Sequence, residues 1–168
     1  AQQYFVLGIG GTGMRCIESL IHLCAMGMFD DTDIHLLALD TDKDNGNFAR
    51  LKEVKEAYVK AKGTDASLRT ALNETFFSAN INYYEFSPNY EVKSDFMSVF
   101  NYGDTKFNNP EQTAIADLVL TKNVETFNLR HGYRAQTHLG SMMMYHSILE
   151  AARSNKNSEL KTYLQKLI

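Results

Sequence analysis

Tyr4-Phe5-Val6-Leu7-Gly8-Ile9-Gly10-Gly11-Thr12-Gly13 decides how the chain begins to fold. Four β-forming residues run directly into a glycine cluster, the pattern of a buried strand feeding a tight loop. After the loop, Met14, Ile17, Ile21, Cys24 and Met28 recur at spacings of three and four. That stripe predicts a helix packed on a sheet, ended by Gly27 and Asp30-Asp31. Ile34-His35-Leu36-Leu37-Ala38-Leu39 is the next apolar run, bounded by acids, and predicts a second buried strand. Strand, helix and strand form a βαβ unit, whose crossover makes the two strands parallel.

Gly8, Gly10 and Gly13 satisfy GxGxxG between a strand and a helix, the setting in which backbone amides approach a phosphate at the positive helix end. The competing role for the same residues is steric, because glycine also lets a helix pack tightly on a strand. Asp40-Thr41-Asp42-Lys43-Asp44 follows the second strand at the sheet edge where α/β proteins bind ligands. A single acid there would hold a ribose hydroxyl. Two acids flanking a threonine suit a metal-associated or phosphate-side loop equally, and acidic capping of the next helix is the plainer alternative.

Farther along, Asn45-Gly46 marks a turn, and residues 48–62 read as a solvated helix with Leu51, Val54 and Tyr58 inward. A short helix is expected over 66–77 and a strand over 81–86. Pro110 starts helical periodicity that runs to about residue 129. Residues 130–140 read as a polar loop, 141–153 as an apolar helix, and 158–168 as a helix with Leu160, Leu164 and Leu167 on one face.

Composition narrows the function. Seventeen Lys and Arg against twenty Asp and Glu give the 168 residues a formal charge of −3, which disfavours nucleic acid as a partner held by broad attraction. The aromatics of the 80–110 segment are interleaved with Glu85, Glu91, Asp95 and Asp104, so a protein interface or core suits them better than single-stranded nucleic acid. Cys16 and Cys24 on one helix would stand about 12 Å apart, too far for a disulfide. His131, His138 and His146 lack HExxH spacing, and no serine lies in a GxSxG elbow. No apolar run approaches the ~20 residues of a membrane span, and a cytoplasmic protein is expected.

GIGGTG, a long helix and LLALDTDKDN together resemble the opening of the tubulin and FtsZ superfamily, especially bacterial tubulin-like proteins with a GGTG loop and a DTD strand end. Arg134-Ala135-Gln136-Thr137-His138-Leu139-Gly140, followed by a helix, resembles that superfamily's third phosphate loop. The resemblance covers nearly the whole chain and implies a three-layer, Rossmann-like α/β sheet flanked by helices, with residues 64–110 as a family-specific insertion. It implies GTP or GDP with Mg²⁺ as cofactors. Gly8, Gly10, Gly11, Thr12, Gly13, Arg15, Asp40, Thr41, Asp42, Ala135, Gln136, Thr137 and Gly140 would bind the nucleotide, and Asp42 would serve the metal. In that family nucleotide binding is linked to self-association into dimers or filaments, and a neighbouring subunit supplies the acid that orients water for GTP hydrolysis.

Three departures stand beside the resemblance. The family's GGGTGSG-type loop and its acidic loop are absent, and Arg15 takes the helix position where FtsZ relatives often carry asparagine against guanine. A chain that begins at Ala1 and stops at Ile168 in a predicted helix suggests the N-terminal part of a larger protein, inactive in hydrolysis by itself. Adenylating enzymes of the ThiF and ubiquitin-activating type also open with GxGGxG, and Asp40, Asp42, Asn47 and Arg50 imitate their later series with an interval one residue short. An NAD-binding Rossmann domain is the other alternative, resting on the same loop.

Overall fold

The structure, a computed structural model, describes residues 2–64, 76–88, 137–154 and 158–168, with single positions at 110, 111, 114, 118 and 128. Its elements are β1 (Gln2–Ile9), α1 (Gly10–Ala25), β2 (Thr32–Leu39), α2 (Asn47–Thr64), β3 (Asn80–Phe86), α3 (Thr137–Arg153) and α4 (Glu159–Leu167). The chain divides into two compact units, one of Ala1–Ser87 with Ser147–Ile168 and one of Pro88–His146. The first unit carries the sheet; β3 lies within the 64–110 stretch.

The sheet is parallel, in the order β1-β2-β3. Tyr4 pairs with Ile34 and Ile34 with Ile81, which sets one face as Val6, Ile34, Leu36, Ala38, Ile81 and Tyr83. Against it pack Met14, Ile17, Ile21 and Cys24 of α1 and Phe48, Leu51, Val54 and Tyr58 of α2. The spacing of those residues places a continuous apolar stripe on each helix. Removing each large side chain from water contributes about 1.5–3 kcal/mol, so this layer holds the unit together.

The opposite face carries Phe5, His35, Leu37, Leu39 and Tyr84, and α4 covers part of it. Tyr163 meets Phe5 and Tyr84 edge-on, with ring centroids 5.7 and 5.6 Å apart. Glu159 accepts a hydrogen bond from the backbone N–H of Glu85 near the C-terminal end of β3. Lys166, at the other end of α4, lies near Gln3 and Asp33, so the helix runs antiparallel to the strands. The first unit therefore has three layers, α1 and α2, the sheet, and α4.

Several expectations need correction. The strand at Tyr4–Leu7 was expected to be buried, yet Leu7 and Ile9 are 50% and 60% exposed. Among the described residues β1 stands at the edge of the sheet, which only β2 flanks. Met28 falls beyond the end of α1: Met26, Gly27 and Met28 bond back to His22, Cys24 and Leu23, and Gly27 takes φ +84°, which stops the helix before the apolar stripe runs out. On α4 Leu160 is buried together with Tyr163, whereas Leu167 at the end of the expected leucine row is exposed, because the Tyr163 ring is what packs on the sheet. The polar loop expected over 130–140 ends earlier, since α3 already begins at Thr137 and takes Gly140 into its first turns. Gly140 costs the helix about 1 kcal/mol relative to alanine, and burial of Leu139 and Met143 outweighs it. Nearly all of the expected 66–77 helix and most of the expected 110–129 helix lie outside the described residues.

Candidate functional site

The glycine loop divides its work between packing and openness. A Cβ on Gly13 would stand 2.7 Å from the carbonyl carbon of Gly8, and one on Gly8 would stand 2.9 Å from the carbonyl oxygen of Gly13. These two glycines let the first turn of α1 lie directly on the end of β1. Gly10 has φ +67°, a left-handed conformation costly to any other residue, and nothing lies within 4 Å of where its Cβ would be. Gly11 would meet only the amide of Asn47, at 2.9 Å.

Just before the helix, Ile9 is extended (φ −105°, ψ 123°), and no side chain caps α1. Its first-turn N–H groups have no intrahelical partner and carry the positive end of the helix dipole. Thr12 is exposed beside them. This end of α1 is sterically and electrostatically suited to an anion.

Facing that end, the segment after β2 is folded by its own acids. The N–H of Asp40 donates to the carbonyl of Phe86 at 3.2 Å, tying the loop to the end of β3. The carboxylate of Asp40 accepts from the Asp42 N–H at 3.1 Å and from the Asn45 amide at 3.3 Å. Asp42 accepts from the Asp44 N–H at 3.0 Å, and Asn45 from the Asn47 N–H at 3.0 Å. Successive side-chain-to-backbone turns of this kind carry the chain from β2 into α2, with Gly46 at φ +77°. Thr41 is buried within the segment, and Asp42 is half-buried. The structure thus brings Gly10, Gly11, Thr12, Asp40, Thr41 and Asp42 to the same end of the sheet.

Asn47 belongs to this cluster although it was not counted among the phosphate-loop residues. Its position in the first turn after Asn45-Gly46 is the signal that would have found it, since the helix following the second strand starts at the same sheet end as α1. Arg15 and Arg50 both reach a buried acid on α1. Arg15 Nη1 lies 3.2 Å from the buried carboxylate of Glu18, and Arg50 Nε donates to it at 3.0 Å. Glu18 sits inside the apolar stripe of α1 and is 7% exposed; the two arginines compensate its charge and Arg50 ties α2 to α1.

The third-loop residues are distributed otherwise. Thr137 and Gly140 open α3 in the second unit, and Ala135 and Gln136 lie outside the described residues, as does His131. Among the described residues no group of three or more His, Cys, Asp or Glu is placed to hold a metal ion. Mg²⁺ commonly binds through one or two carboxylates plus substrate phosphates, a requirement that Asp42 alone fits. Burial pushes the Cys24 thiol up to about 11, which leaves it inert, while Cys16 is exposed. Among the described residues no helix is long and apolar enough to cross a membrane.

No protein-family model, curated protein or solved structure matches this chain.

Proposed function

We propose that the chain binds a purine nucleoside triphosphate, GTP with Mg²⁺, in the manner of tubulin and FtsZ-like proteins, and that binding is linked to self-association. One observation supports the reading: an uncapped helix N-terminus, open at Gly10 and approached at Gly11 only by the Asn47 amide, lies at the same C-terminal end of a parallel sheet as an acid-and-threonine loop. Backbone amides of residues 11–13 would take the phosphates, the Thr12 hydroxyl would add a donor, and Asn47 would close the loop from α2. Asp42 would hold Mg²⁺, which when bound neutralises phosphate charge.

The NAD-binding alternative asks Asp40 to hold a ribose hydroxyl, but both carboxylate oxygens of Asp40 already shape its own loop. The adenylating alternative asks Arg50 to reach a nucleotide, whereas its Nε is turned to Glu18 on α1. Equilibrium dialysis with labelled GTP, with and without EDTA, tests the proposal. Retention that needs Mg²⁺ and resists excess ATP is the expected result. Retention of ATP or NAD in preference to GTP would transfer the site to one of the enzyme classes.

A further inference from the structure

The sheet has a second polar end, opposite the glycine loop. On the face covered by α4 the residues of the middle and C-terminal rows are apolar or aromatic, Leu7, Leu37 and Tyr84, then Ile9, Leu39 and Phe86. In the first N-terminal row the same face is polar on all three strands, with Gln3, Asp33 and Asn80 in register, and in the next row His35 pairs with Asn82 on one side and with Phe5 on the other. Together with Lys166 from the last turn of α4 they line a cavity of about 580 Å³ within the first unit. That volume lies in the range of small-molecule sites.

The wall contains one anion, Asp33, one cation, Lys166, and three side-chain amides. It also contains His35, 3% exposed and stacked on Phe5 with ring centroids 4.7 Å apart. Nδ1 of His35 lies at 3.5 Å from the Tyr84 hydroxyl, and Nε2 is buried without a hydrogen-bond partner. A buried imidazole nitrogen left without a partner is unfavourable, and a ligand's polar atom or a water it recruits would satisfy it. Desolvation first, then the Lys166 charge, lowers the pKa of His35 from 6.5 against the opposing pull of Asp33, so at neutral pH the imidazole is uncharged and the wall has no net charge.

We propose that this cavity is a second binding site, for a small zwitterion of the α-amino-acid class with an uncharged polar side chain. Lys166 takes the carboxylate, Asp33 the ammonium, and the amides of Gln3 and Asn82 the side chain. The site is independent of the nucleotide reading, since it uses the opposite end of the strands.

Titration of the full chain with L-glutamine, followed by the NMR shift of the His35 ring proton, tests the proposal, with acetate and ethylammonium as probes of each charge alone. A saturable shift with glutamine is expected, weakened about tenfold or more in Lys166→Met and in Asp33→Asn, with each single-charge probe similarly weak. Because Asp33 also accepts from Asn80 at 2.9 Å, a thermal melt checks that variant's fold, and Gln3→Leu replaces it if the fold is lost. No saturable shift at millimolar glutamine, an undiminished shift in Lys166→Met, or acetate binding as tight as glutamine would each overturn the assignment.

Discussion

Four glycines within six residues do unlike jobs, and substitution separates them. Alanine at 13 would drive a Cβ to 2.7 Å from backbone that has nowhere to go, and should cost about 1–3 kcal/mol in urea denaturation. Alanine at 11 meets only the movable Asn47 amide; its stability should stay within about 0.5 kcal/mol of the parent, while nucleotide affinity falls because the methyl group occupies the approach to the helix end. Equal destabilisation by both changes would remove the distinction between packing and cradle. His35 supplies a pH dependence. Its pKa in the folded protein lies below 6.5, so the unfolded chain binds the extra proton first. The stability that neutral His35 gives is present above pH 6.5 and is lost progressively as pH falls from there toward the lowered value. Denaturation midpoints between pH 7.5 and 5 should show this decline, and His35→Phe, which keeps a ring beside Phe5, should flatten it.

Between elements, the tie from α1 to α2 runs through Glu18. Glu18→Ala should cost about 1–2 kcal/mol, because the carboxylate is buried although Arg15 and Arg50 are themselves half-exposed and solvent-screened. Arg50→Ala should cost less, since Arg15 remains, and should leave nucleotide affinity unchanged; a large loss of affinity with the fold intact would favour the adenylating class. The sequence made β2 and the inner stripes of α1 and α2 readable, because side chains buried on a sheet leave an unambiguous apolar pattern. It made Asn45-Gly46 readable because Gly46 needs a positive φ. It hid the exposure of β1, since Tyr4-Phe5-Val6-Leu7 looks alike whether one or two neighbours flank the strand. Glu18 was hidden because a charge inside an apolar stripe signals nothing until the arginine from another helix is known. Asn47 was hidden for a related reason: it acts on Gly11 across 36 positions of sequence, and local spacing carries no record of such contacts. The start of α3 at Thr137 was missed because arginine, glutamine and glycine around it read as loop.

Across the molecule, the two ends of one sheet are assigned different chemistry. The C-terminal end, with Gly10, Gly11 and the Asp40–Asp42 loop, is the end proposed for nucleotide. The N-terminal end, with Asp33, His35 and Lys166, is charge-balanced and polar. The strands between them are packed with Leu36, Leu37 and Ala38, each no more than 2% exposed, so changes at one end should leave the other unaffected, and Lys166→Met should bind GTP as the parent does. The central claim is nucleotide binding at the glycine loop. Isothermal titration of the parent chain and of Gly11→Ala with GTP, GDP, ATP and NAD, with and without magnesium, tests it most directly. Magnesium-dependent binding selective for guanine nucleotides is expected in the parent, with its loss in a folded Gly11→Ala. Failure of the parent to bind any nucleotide, or binding that survives Gly11→Ala undiminished, would contradict it.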